Sequence, residues 1–207
     1  MKSLLATLLL ATALPVAHAD VNVWNFRVLL DDREIGRHQF TLRSAGGEHE
    51  LRSEARFDVR VLLFSAYRYK HVADERWDGD CLQSLVSRTE TNGERQAVNA
   101  TESGGRLVVD RPAGRAEHGG CVMSFAYWNP RILEARRLLN AQTGELVPVT
   151  VTPQGDETIA VRKLPVAAQR YRISGPGLQV DIWYSGGRWV ALEAPAAGTR
   201  RLRYELI

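Results

Sequence analysis

The chain has 207 residues, a formal charge of +3, 44% hydrophobic residues and 25% charged ones, which suits one domain with a sizeable core. Its 24 Arg and three Lys are scattered among 24 Asp and Glu. That is a solvated surface, and it excludes a nucleic-acid footprint.

Met1-Lys2-Ser3 is a short positive start, Leu4 to Val16 is almost wholly apolar, and Ala17-His18-Ala19 is a small-x-small cleavage site. These are the three parts of an export leader, so residues 1–19 are expected to be a signal peptide and the mature chain to begin at Asp20. Losing Lys2 takes the formal charge from +3 to +2. The apolar run is short for a bilayer anchor and no second stretch of about 18 apolar residues follows. No cysteine follows the cleavage site, so no lipid anchor is expected, and residues 20–207 read as a single β-rich domain without a linker or repeat.

From Trp24 onward the chain alternates. Trp24, Phe26, Val28 and Leu30 share a face; Asp31-Asp32-Arg33-Glu34 turns the chain; Gly36, His38, Phe40 and Leu42 face one way on the return. After Ala45-Gly46-Gly47, the residues Leu51, Ser53, Ala55, Phe57, Val59 and Val61 alternate with Arg52, Glu54, Arg56, Asp58 and Arg60. The next segment sets Tyr67, Tyr69, His71, Ala73, Glu75 and Trp77 on one face, aromatic and partly polar. Asn92-Gly93 is a two-residue hairpin signal, since both central positions need positive φ. Later segments, from ELVPVTV to RRLRYELI, are separated by Gly-, Pro- or Asp-bearing turns. About a dozen short strands predict a mainly β fold, a curved antiparallel meander closing as a half-barrel or barrel.

Cys81 and Cys121 are the only cysteines, and in an oxidising compartment the simple reading is a disulfide between them; two buried free thiols are the alternative. Neither a redox CxxC pair nor a zinc site fits their spacing.

Ser124–Asn140 alone reads as a helix. Asn129 is a good N-cap, Pro130 falls at the first helical position, and Trp128 can staple onto Leu133. Ile132, Ala135, Leu138 and Leu139 form an apolar arc opposite Glu134 and Arg137. So short a helix needs docking to persist, so one short helix is expected inside the sheet's curvature or across an open end.

The opening WNFRVLLDDREIGRHQF and the late VDIWYSGGRWVALE resemble exported bacterial proteins classed as domains of unknown function. More distantly such proteins resemble the periplasmic lipoprotein-carrier half-barrels. That resemblance implies a curved sheet wrapping helices over an apolar cavity; as a likeness of fold it does not fix function.

His38 and His71 fall on apolar strand faces with Glu75 further along, which fits either core and cavity lining or a buried acid–base pair or partial metal site. His49 and His118 fall in turn regions and are expected to be solvated. No GxSxG, P-loop, dinucleotide fingerprint or HExxH is present, so no catalytic residue, metal or cofactor is assigned and enzyme is the minority reading. Tyr67, Tyr69 and Trp77, with Tyr127 and Trp128 before the expected helix, are core or the wall of a cavity for an acyl or isoprenoid-like ligand, the tyrosine hydroxyls and His71 orienting its head and His38 among the ligand-binding residues. A further class is an outer-membrane barrel with the Arg52–Arg60 charges in its lumen and Phe57, Val59 and Val61 toward lipid. The favoured reading is a soluble periplasmic binder or carrier of a lipophilic molecule, or an envelope accessory factor with an envelope protein partner. The alternative is a structural or protein-interaction module without a ligand.

Overall fold

A computed structural model describes residues 19–61, 64–196 and 198–207. The expected leader lies outside these residues apart from Ala19. Eight strands come first: β1 (Asp20–Leu30), β2 (Arg33–Ala45), β3 (Glu48–Val61), β4 (Phe64–Asp78), β5 (Cys81–Thr91), β6 (Glu94–Ser103), β7 (Arg106–Asp110) and β8 (Ala116–Gly119). A small hairpin follows, β9 (Arg137–Leu139) with β10 (Leu146–Pro148). The rest is β11 (Thr150–Val161), β12 (Leu164–Gly175), β13 (Leu178–Ser185), β14 (Arg188–Pro195) and β15 (Arg201–Leu206).

All strands but β9 and β10 form one antiparallel sheet in which β15 pairs with β1, so the two runs of the meander join through the chain's first and last strands. Among the described residues its edges, β8 and β11, do not pair with each other, so the sheet curves without closing into a barrel. The alternation in the sequence sets its faces. Leu51, Ser53 and Ala55 of β3 and Tyr69, His71, Ala73, Glu75 and Trp77 of β4 are buried on the concave side. Arg52 and Asp74, paired on the convex side, are exposed. An outer-membrane barrel has its apolar residues outside and its polar ones within, the reverse of this arrangement. Among the described residues no helix is long and apolar enough to cross a membrane.

Asn92 and Gly93 have φ of 51° and 94°, the positive pair that the β5–β6 turn requires. Gly36 answers a different need. A Cβ there would stand 2.0 Å from the carbonyl oxygen of Arg56 on β3, so only glycine lets β2 and β3 approach.

Residues 120–149 leave the sheet at the end of β8 and cross its concave side to the start of β11. Cys81 and Cys121 form a disulfide, with Cα atoms 4.9 Å apart, which ties the start of this crossing to the start of β5. The backbone N–H of Leu82 donates to the carbonyl of Val122 at 2.8 Å beside it. Among the described residues there is no α-helix, and this corrects the expectation for Ser124–Asn140. The cues for the start hold: Asn129 caps, its side chain accepting from the N–H of Arg131, and Pro130 opens a 3₁₀ turn over Pro130–Glu134. Ala135 then turns extended, at φ −67° and ψ 141°, and the chain continues as strand β9. The reason is the pair Leu138 and Leu139. Leu138 packs with Trp24, Phe26 and Trp189 in the larger core, and Leu139 with Trp77, Leu85 and Val109 in the smaller one. A strand points successive side chains to opposite sides, whereas a helix would put both on one arc.

Two substitutions test this packing. Leu139→Ala should destabilise by roughly 2–5 kcal/mol, whereas Arg137→Ala, on the exposed neighbour, should cost less than about 1 kcal/mol in denaturant unfolding. Gly36→Ala should cost more than the roughly 1–3 kcal/mol of ordinary overpacking, because a backbone carbonyl cannot step aside. A native-like unfolding midpoint for Gly36→Ala would contradict the β2–β3 register.

Candidate functional site: a cavity with a polar wall

The crossing segment fills one end of the concave side and leaves a cavity of about 800 Å³ at the other. The rim is marked by Leu30 at the end of β1, Val59 of β3, Tyr67 of β4, Gly177 between β12 and β13, and Arg200 before β15. Pro176, Gly177, Arg200, Gln142 and Glu145 are exposed there, so the cavity opens to solvent at this end. At the opposite end Val122, Ala126 and Ile132 of the crossing segment are buried against the sheet and close it.

Strand register sets the depth of each wall residue. Val59 of β3 pairs with Tyr67 of β4 near the rim, then Phe57 with Tyr69, Ala55 with His71, Ser53 with Ala73, and Leu51 with Glu75 deepest. His38 of β2 pairs with the same Ala55, which puts His38 and His71 on either side of it at one level. Alternation places all these side chains on one face, and the antiparallel pairing lines them up across it.

The polar groups form short chains. Nε2 of His38 lies 2.7 Å from the Ser53 hydroxyl and Nδ1 3.2 Å from that of Tyr204. Nδ1 of His71 lies 2.9 Å from the Thr89 hydroxyl. The carboxylate of Glu75 accepts from the Trp77 indole N–H at 3.0 Å and from the Ser124 hydroxyl at 3.1 Å, which joins β4 to the crossing segment. Burial holds the two imidazoles neutral, lowering His38 to about 3, with nearby His71 adding to the effect, and His71 to about 4. The Glu75 carboxyl is raised to about 7 by burial, against the opposing bonds from Ser124 and Trp77. The Tyr204 hydroxyl is pushed well above its ordinary range by burial, with those of Tyr69, Tyr127 and Tyr67 close enough to add to it. Apart from Glu75, the wall is therefore built of neutral donors and acceptors.

Of the ligand residues expected from sequence, His38, Tyr67, Tyr69, His71 and Tyr127 meet on this wall. Trp77 and Trp128 lie behind it, edge to face with ring centroids 5.6 Å apart, Trp77 wholly buried in the smaller core. His71 and Glu75 make no bond to each other, each having its own partners. Among the described residues no three His, Cys, Asp or Glu side chains gather as metal ligands. His49 and His118 are not in turns but in β3 and β8 and are half buried, His49 packing on Trp128 and bonding Ser44. Ser53, Ser124, Tyr204 and Trp189 complete the wall. Tyr204 could have been found from the alternation of Leu202, Tyr204 and Leu206, whereas Ser124 sat inside the misassigned helix.

The Ser53–His38–Tyr204 chain has the outline of a nucleophile, its base and an orienting group. Its surroundings do not suit acyl transfer. Ser53 sits mid-strand, paired on both sides with Phe40 and Ala73, so its backbone is committed to the sheet and offers no oxyanion donors. An imidazole lowered to about 3 is also a weak base. What the arrangement does well is orient an uncharged polar group against an apolar wall.

Fold and site together define an open, β-barrel-like sheet around a cavity. The chain belongs to the family described as a domain of unknown function, DUF6134, whose model matches residues 26–207. It is similar to the crystal structure of a β-barrel-like protein of domain of unknown function DUF1849 from Brucella abortus, with a TM-score of 0.66 over 94% of this chain and 98% of that one. At 13% identity the likeness is one of fold. None of the curated proteins matches the sequence.

The buried ionisable groups give stability a pH signature of known sign. The folded Glu75 carboxyl is at about 7 while the unfolded chain keeps the ordinary 4.5, so the unfolded state releases its proton first. Its contribution is therefore favourable at low pH and is lost as pH rises from 4.5 to 7. The imidazoles act oppositely: the unfolded state gains protons below 6.5 while folded His38 and His71 do not, so stability falls as pH drops toward 4. Glu75→Gln should remove the first effect and leave the second. Its stability relative to the parent protein should improve by on the order of 3 kcal/mol between pH 4.5 and pH 7. A difference that stays constant across that range would mean that Glu75 is not held protonated.

Proposed function

We propose that the protein is an exported, non-enzymatic binder or carrier of a lipophilic molecule, which it holds in the cavity between the concave sheet and the crossing segment. The cavity carries this reading: about 800 Å³, its wall mainly apolar, with Phe40, Phe57, Trp189 and Leu192 in it and a few polar groups converging on one side. That is the size and make-up of small-molecule sites that fix a ligand by shape and orient it with a few bonds. The disulfide suits an oxidising compartment, in keeping with the leader-like start of the sequence. The resemblance to periplasmic half-barrel carriers supports the same reading at the level of fold.

Protein recovered from its native envelope should carry lipid that appears by mass spectrometry after organic extraction. Tyr69→Trp should fill part of the cavity and reduce occupancy while the fold persists, since the new ring has open space to enter. In a solid core the same change would overpack and destabilise by roughly 1–3 kcal/mol. Lipid-free native protein, no binding of acyl or isoprenoid probes, and an unfolded Tyr69→Trp variant would together replace the carrier with an interaction module.

A further inference from the structure

Charge in the cavity is confined by depth. Glu145 and Arg200 are exposed at the rim, and among the described residues no Lys or Arg lines the wall below it. The one carboxyl inside, Glu75, already accepts from Ser124 and Trp77. An anionic or cationic head group brought to this depth would lose its hydration without gaining a counter-charge, a large cost in an apolar site.

Three polar atoms on the inner wall still lack a partner among the described residues. They are Nε2 of His71, whose Nδ1 is bound to Thr89, and the hydroxyls of Tyr69 and Tyr127. His71 is 5% exposed and Tyr69 8%, so neither can turn to bulk water; both face the cavity. A polar atom that opens to a cavity takes its partner from water or from a ligand. Toward the rim the lining turns apolar and half buried, with Leu30, Val59, Leu178 and Leu202. The unbonded groups of Tyr69, His71 and Tyr127 thus lie below a rim that carries this hydrocarbon beside Tyr67 and the exposed Gln142, Glu145 and Arg200. About 13 Å of strand separates the level of Tyr67 from that of His71.

Building on the reading of the cavity as a lipid site, we propose that it selects an uncharged amphiphile bound head inward. The hydrogen-bonding head, a hydroxyl or carbonyl, meets His71, Tyr69 and Tyr127, and the hydrocarbon tail runs out to the rim. A long-chain alcohol and an isoprenoid alcohol or ketone share this chemistry. His71 can serve either kind of head, because its neutral ring presents a donor or an acceptor at Nε2 according to tautomer, and the Thr89 hydroxyl can complement both.

The full chain, stripped of lipid, is titrated with hexadecanol, farnesol, hexadecyl sulfate and hexadecyltrimethylammonium, each competing with a neutral naphthylamine probe. Hexadecanol or farnesol should displace the probe, the stronger of the two naming the tail, and both charged analogues should bind on the order of a hundredfold more weakly. Tyr69→Phe and His71→Leu should each weaken the alcohol by about tenfold, the worth of one hydrogen bond, and leave a head-free alkylbenzene unchanged. Tyr69→Phe keeps the test valid should His71→Leu unfold. Orientation is read from brominated hexadecanols, because Trp189 lines the closed end. Bromine beside the hydroxyl should quench tryptophan fluorescence more than bromine at the chain terminus. Equal affinity for a charged analogue, or stronger quenching from the terminus, overturns the head-inward site while leaving the lipid reading intact. Failure of the probe and of every ligand to bind overturns the lipid reading itself.

Discussion

Leu138 and Leu139 face opposite ways, and the interior of the protein is divided around them. A sheet of this many strands that curves without closing leaves a concave face too wide for its own side chains to fill. The chain covers that face with one of its own connections. Such a segment has two cores to serve at once, one against β1, β2, β13 and β14 and one against β4 to β7, and only an extended backbone delivers adjacent leucines to both. The 3₁₀ turn before it, with Ile132 wholly buried, sets the angle at which the strand arrives. The cavity is what remains on the rim side once the segment is seated.

Seating is strongest at the closed end. The disulfide, the Leu82–Val122 backbone bond, the Trp77–Trp128 contact and the Ser124–Glu75 bond all lie there. A bridge closing a loop of this length contributes about 4 kcal/mol in the chain-entropy model. On the other side the Tyr184 hydroxyl donates to the carbonyl of Tyr127 at 2.6 Å, which fixes the stretch carrying one of the cavity's free hydroxyls. Among the described residues the rim has fewer such ties, so it is the less constrained end of the cavity.

The strands were legible because half-burial writes a period of two into the sequence. The ladder from Leu51 to Val59 and the face from Tyr67 to Trp77 carried register and orientation together, and register brought His38, His71 and Tyr69 to neighbouring levels. The helix was misread for a related reason. Asn129 and Pro130 are true start signals, and the 3₁₀ turn uses both, but nothing local says where a helix stops when tertiary packing requires opposite-facing neighbours. The loss of that element hid Ser124, whose role depends on a backbone bridge to Leu139 and a bond to Glu75. For Tyr204 the alternation of Leu202, Tyr204 and Leu206 gives the face but not the neighbours: it and Trp189 reach the site only because β15 pairs with β1, a long-range pairing with no local signal.

On the proposed reading, a cavity of this kind must be stable both with and without a ligand. Permanent charge inside would favour water so strongly that an apolar tail could not displace it, and an entirely apolar lining would give the empty state nothing to bind the water it admits. Neutral imidazoles and hydroxyls sit between these limits: such groups can bond water and can exchange it for a hydroxyl or carbonyl at little net cost. Burial keeps them so, since the same desolvation that lowers His38 and His71 also raises Glu75 and the tyrosines. The sheet's curvature therefore settles the chemistry of the site as well as its shape, because it decides how deep each of these side chains lies.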